Sequence, residues 1–109
     1  MITWKDFEKI EMRTGTITAV ANFPDAKKPA YQLTIDFGET GIKKSSAQIT
    51  QLYTREALIG KQVVAVVNLP TKQIGKFFSE CLVMGVYNLQ NEVVLLQPSL
   101  PVTNGCRIG

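Results

Sequence analysis

Between residues 31 and 37 the chain alternates strictly: Tyr31, Leu33, Ile35 and Phe37 are apolar, and Gln32, Thr34 and Asp36 between them are polar. Successive side chains of a strand point to opposite faces, so this stretch predicts a half-buried β-strand. Upstream, Ile10 and Met12 share one face whereas Ile17, Ala19, Ala21 and Phe23 share the other, so the phase slips near Gly15. A long first strand, bulged or bent at that glycine, accounts for the slip. Gly38-Glu39-Thr40-Gly41 turns the chain into a more polar third strand, IKKSSAQI at 42–49. Residues 61–69 and 80–87 predict a fourth and a fifth strand that are apolar on both faces. Antiparallel strands normally keep one wet face, so these two ask for a cover, which a second copy of the chain provides. A short strand at 92–97 and a tail shaped by Pro98, Pro101 and Asn104-Gly105 follow.

Helical patterns are brief. Thr3 and Asp6 have capping-box spacing, and Trp4, Phe7 and Ile10 recur every third residue, which predicts an amphipathic helix of about two turns. So short a helix does not stand alone. Trp4 and Phe7 either meet a partner or plug the end of their own barrel. Thr54 followed by REALIG predicts a second short helix, between the third and fourth strands, stopped by Gly60. The order of three strands, a helix and two strands places the chain in the all-β class, as an OB-fold: a five-stranded Greek-key barrel. An open β-sandwich is the alternative topology. The length of 109 residues fits one domain spanning 1–109.

Charge changes the picture modestly. The net +3 is uneven: Lys27, Lys28, Lys43, Lys44, Arg55, Lys61, Lys72 and Lys76 face only Asp36, Glu39 and Glu56 over the same stretch. Such a field attracts polyanions or acidic chain segments, unless it is simply a solvated face. The opening MITWKDFEKI carries charges where a signal peptide has an apolar core. The longest purely apolar run, 63–67, falls well short of the roughly 20 residues a membrane helix needs. Cys81 and Cys106 have no paired spacing, and a reducing, cytoplasmic location is expected. With no histidine the commonest general base and neutral metal ligand are missing. Gly38 to Lys44 resembles a phosphate loop only superficially, its glycines being spaced for a hairpin. No catalysis, metal or cofactor is expected.

Barrels of this type hold extended polymers on one face, with aromatic platforms for bases or apolar side chains and basic groups for phosphates or acidic segments. The stretch KQIGKFFSECLVMG at 72–85 supplies both kinds of group. Phe77 and Phe78, being adjacent, face opposite ways: one points inward and the other forms a contact surface beside Lys72 and Lys76, or that second ring lies beneath a partner subunit. Ser45 and Ser46 either line a pocket beside Lys43 and Lys44 or are small residues where the barrel narrows, the structural role fitting Ser45 better and the binding role Ser46. Arg13 and Arg55 are further polar candidates.

The strings KKPAYQLTIDFG, GIKKSSAQIT, LIGKQVVAVVNLP, QIGKFFSECLVMG and VVLLQP, in this order and spacing, resemble the CsaA group of export chaperones over almost the whole chain. That group is similar to free-standing tRNA-binding proteins and to the tRNA-binding domains of methionyl- and tyrosyl-tRNA synthetases. The resemblance implies an ATP-independent homodimer that binds unfolded preproteins and hands them to the SecA translocation ATPase. It also implies that the N-terminal helix and the C-terminal segment help to build the subunit interface, where Trp4, Phe7, Val64 and Val66 are the candidates. On this reading Phe77, Phe78, Ser46, Lys44 and Arg13 bind peptide. The alternative is a structure-dependent tRNA binder using Lys27, Lys28, Lys43, Lys44, Lys72, Lys76 and Ser79. The tRNA-binding relatives carry a basic loop followed by a Ser-Glu pair, matched here by Lys72, Lys76, Ser79 and Glu80. Two departures count against tRNA: Cys81-Leu82 replaces the relatives' Gly-Met, and Lys28-Pro29-Ala30 stands where they carry a lysine-leucine pair.

Overall fold

A computed structural model describes all 109 residues. Strand β1 (Met12–Asn22) is central, flanked by β2 (Tyr31–Asp36) with β3 (Ile42–Ala47) on one side and by β4 (Gln62–Val66) with β7 (Leu82–Val83) on the other. All neighbouring pairs are antiparallel. Two hairpins complete the strands: β5 (Lys72–Ile74) with β6 (Phe77–Ser79), and β8 (Gly85–Tyr87) with β9 (Val93–Leu95). The five-stranded sheet curls into a nearly closed barrel, as the strand order predicts. The alternation read in the sequence is what fills it: Ile17, Leu33, Ile35, Phe37 and Val63 are fully buried in one cluster. The short helix α2 (Arg55–Leu58), capped by the Thr54 hydroxyl, directs Leu58 into the same core.

The slip in β1 lies elsewhere than at Gly15. The β1–β4 ladder runs in register through Gly15↔Val63, and the shift on the β2 side falls between Ile17 and Ala19. Beyond that bulge Val20 packs against the core while Ala19 and Ala21 are exposed, so the face shared with Ile17 moves by one residue. Gly15 serves space rather than torsion, since a Cβ there would lie 2.7 Å from both Ile35 and Phe37.

Several elements are shorter or more broken than their patterns predict. The first helix, α1 (Trp4–Glu8), has its capping box in place, with the Asp6 N–H donating to the Thr3 hydroxyl and the Thr3 N–H to the Asp6 carboxylate. It ends before Ile10. The 80–87 strand breaks at Met84, whose N–H donates to the Val64 carbonyl and whose carbonyl accepts from the Leu96 N–H, joining β4 to the β8–β9 hairpin. The tail is less irregular than its prolines indicate. Its Gly105 and Ile108 N–H groups donate to the carbonyls of Thr14 and Met12, and the Thr14 N–H donates to Cys106, so residues 105–108 pair with the edge of β1 that β2 leaves open. Gly105, at φ 89, lies so close to the Phe37 carbonyl that any Cβ would collide with it. No helix is long and apolar enough to cross a membrane.

Candidate ligand-binding face

The Phe77-Phe78 pair sits on a short strand of a separate hairpin. Ile74 opposes Phe77, Gln73 opposes Phe78 and Lys72 opposes Ser79, which leaves Gly75-Lys76 as a two-residue turn. Gly75 has φ 61 while Lys76 stays at negative φ, the pattern of a type II′ turn, which matches the twist of paired strands. Strand alternation then separates the rings. Phe77 turns inward, half-buried, with its ring 5.2 Å from the buried Phe23 ring at 58°. Phe78 turns outward and is 53% exposed. Lys72 and Lys76 are exposed on the same hairpin. The outward ring shares its face with Gln73, and Lys76 lies in the adjoining turn, so it offers an apolar contact for a side chain or a base with positive charge close by on the hairpin.

Beside the hairpin runs β3, whose inner and outer positions divide as alternation requires. Ser45 is buried and its hydroxyl donates to the Cys81 carbonyl at 2.8 Å, a structural role. Burial raises the Cys81 thiol pKa to about 11, which keeps it neutral and unreactive near pH 7. Lys44 is exposed on the outer side and Ser46 is half-buried there. Lys43 shares the inward parity of Ser45 and is half-buried.

Past Ser46 the walls of the barrel separate. A cleft of about 700 Å³ opens between residues 46–49, the segment 82–85 and the side chains of Tyr87 and Val93, with Lys28-Pro29 at its rim. Half of the lining is apolar, and Lys28 is its sole charged residue. The cleft therefore suits a chain with apolar groups and, near Lys28, a negative charge. Lys27 and Lys28 are exposed on the loop between β1 and β2, and the Lys28-Pro29 departure noted in the sequence forms part of the cleft itself.

The remaining candidates lie apart. Arg13 makes an ion pair with Glu11 at 2.9 Å and donates to the Gly105 carbonyl at 3.1 Å, so it fastens the C-terminal tail and does not line the cleft. Trp4 is 86% exposed and does not plug the barrel end, whereas Phe7 is half-buried. Asn68 fastens the end of α1 beside β4 by accepting from the Glu11 N–H and donating to the Lys9 carbonyl. Val66 is buried and Val64 half-buried on the outer side of β4.

Sequence reading missed the continuity of that outer side. Val66 opposes Leu82, Met84 bonds to both Val64 and Leu96, and Val86 opposes Val94, so these residues of one parity share a single face. All are aliphatic or Met, and Leu82, Val86, Val94 and Leu96 are exposed, by 39–52%. The double-sided apolarity of 61–69 and 80–87 was the available signal, but the joining of β9 to it was not. Phe23, as the platform under Phe77, and Tyr87, as a cleft wall, also escaped; both look like ordinary core or strand aromatics in sequence.

An OB-type barrel with an aromatic-basic hairpin and an open cleft defines a ligand-binding module. The family model of the tRNA binding domain matches residues 12–107. A crystal structure of chaperone CsaA from Bacillus anthracis superimposes with a TM-score of 0.95 at 49% identity, covering 100% of this chain and 99% of that one. The CsaA chaperone protein of Picrophilus torridus gives 0.94 at 48%, covering both chains fully. The methionine–tRNA ligase of Nanoarchaeum equitans is 33% identical over 108 residues, which span 99% of this chain and 14% of the ligase. The chain belongs to the CsaA/tRNA-binding family. It spans only about one seventh of the curated ligases it matches, and those enzymes owe their catalysis to other domains.

Proposed function

We propose that the protein is an ATP-independent chaperone of protein export, a cytoplasmic, non-catalytic homodimer that holds unfolded preproteins and passes them to the SecA translocation ATPase. The observation that carries this reading is the half-apolar cleft, in which Lys28 is the one charged residue, together with the outward Phe78 ring on the hairpin next to β3. Such a surface captures apolar side chains of an extended polypeptide at roughly 25 cal/mol per Å² removed from water, while the bordering lysines raise the on-rate for acidic segments. Likeness at 48–49% identity to two CsaA chaperones along their whole length supports it.

Dimerisation is supported by the aliphatic outer face of β4, β7 and the β8–β9 hairpin. Leu82, Val86, Val94 and Leu96 place no charge there, so on a chain of net +3 this is the patch on which two copies meet without like-charge repulsion. The 86% exposed Trp4, on a helix whose following residue Glu11 is tied to Asn68 just past β4, is a further apolar group free to meet a partner.

A second reading, structure-dependent tRNA binding, is favoured by the family match itself and by the exposed Lys27, Lys28, Lys44, Lys72 and Lys76. Phe78→Ala separates the two. It is expected to weaken binding of a reduced preprotein about tenfold and of tRNA less than threefold, since phosphate contacts dominate RNA affinity. Equal losses for both ligands, or none for the preprotein, contradict the chaperone reading.

A further inference from the structure

The seam between β3 and the chain after β6 is closed in an unusual way. Because each neighbouring pair is antiparallel, β1, β3 and β7 run in the same direction, so the seam is a parallel one. A parallel seam ordinarily carries an evenly spaced ladder of backbone bonds. Here one backbone bond crosses it, from the Glu80 N–H to the Lys44 carbonyl at 2.7 Å. Two N–H groups on this edge of β3, those of Lys44 and Ser46, turn to side chains instead. Lys44 N–H donates to Glu80 Oε1 and Ser46 N–H to Ser79 Oγ, each at 3.0 Å. Residues 77–79 carry their strand pairing with β5, and no ladder forms between them and β3.

We propose that Ser79 and Glu80 are positioning residues for the binding face. Their side chains replace the missing rungs and form a clasp that fixes the β5–β6 hairpin, and with it the Phe78 ring, beside the cleft mouth at Ser46. The clasp acts with the Glu80–Lys44 backbone bond and the Phe77–Phe23 contact in joining this hairpin to the barrel. On this account the Glu80 carboxylate acts as a hydrogen-bond acceptor and not as a charge directed at a ligand. The Ser79 hydroxyl oxygen is likewise occupied by the Ser46 N–H. The Ser-Glu pair that the sequence offers as part of a ligand-contacting loop is thus assigned to holding that loop in place. The effect on ligands rests on the binding-face reading above; the clasp itself does not.

Amide exchange on the ligand-free protein tests the clasp, with titration of a reduced preprotein as the second readout. Glu80→Ala should speed exchange at Lys44 and across β5–β6 by about tenfold or more, because losing an acceptor opens the seam locally. Leu33 and Ile35 in the core should keep their protection, which separates local release from general destabilisation. Glu80→Gln retains a carbonyl acceptor without charge and should restore exchange and preprotein affinity to within about threefold of the parent. Ser79→Ala should release Ser46 in the same way, and Ser79→Thr should retain it. A Gln variant as impaired as Ala, or an Ala variant with unchanged exchange at Lys44, overturns the proposal. Should the parent fail to bind the preprotein, the chaperone reading falls while the exchange data still decide the clasp.

Discussion

Strand β2 and the β8–β9 hairpin are built on opposite terms. In β2, Leu33 and Ile35 vanish into the core while Gln32, Thr34 and Asp36 face outward, so hydrophobic area is spent entirely inside one chain. In the hairpin, Val86, Val94 and Leu96 face outward and Tyr87 and Val93 line the cleft, leaving Leu95 as the buried residue of the pair. A two-stranded hairpin with so little core of its own has marginal independent stability. One side of the molecule thus supplies the folding energy and the other carries surfaces suited to partners. Substitutions should sort accordingly.

The largest effect is expected in the first region. Leu33→Ala removes a fully buried side chain and should cost about 2–5 kcal/mol in urea unfolding, with any remaining folded protein still competent to bind. An equal loss from Val86→Ala would erase the distinction between the two regions. Next comes the alkaline limb of stability. The Cys81 pKa is raised from 9.0 to about 11, so between those values the folded state holds a proton that the unfolded state has released. Stability should fall as pH climbs through this window, by up to about 3 kcal/mol, and level off above it. A Cys81→Ala variant should show no such slope in pH-dependent unfolding.

In the second region, on the dimeric reading proposed above, Val86→Asp with Leu96→Asp should raise the dimer dissociation constant about a hundredfold or more in sedimentation experiments, while the protection of core amides in β2 is retained. A variant that stays dimeric at the parent's concentrations places the subunit contact elsewhere. The smallest effect is at α1, whose Asp6 pKa is lowered first by the hydrogen bond from the Thr3 backbone and then by the Thr3 hydroxyl. The support this gives the helix is present above the ordinary carboxylate range and is lost as pH falls through the lowered value. Trp4 fluorescence should report that fraying, and Asp6→Asn, which has no carboxyl to titrate, should abolish its pH dependence.

These contrasts also mark what was legible in advance. The alternation of 31–37 and the turn at 38–41 led to the barrel because each half-buried strand shows its period within a few residues. The bulge was placed at Gly15 because glycine there serves either torsion or close packing, and only the neighbouring Phe37 and Ile35 reveal which. The aromatic pair was legible as one ring in and one out, but which ring is which depends on the hairpin register, set by the Gly75 turn. Arg13 looked like a free cation because its partners, Glu11 apart, lie ninety residues away in the tail. The clasp was invisible for the same reason: Ser79 and Glu80 find their donors some 35 residues upstream.

The proposed function requires a surface that gains affinity from apolar capture more than from phosphate neutralisation. One titration tests this directly: binding of a reduced preprotein and of tRNA, side by side, at 50 and 200 mM salt. The preprotein affinity is expected to change by less than about fivefold, while any tRNA affinity resting on six or so phosphate contacts falls by about 10³. Tight tRNA binding that survives 200 mM salt, with no measurable hold on the preprotein, would contradict it.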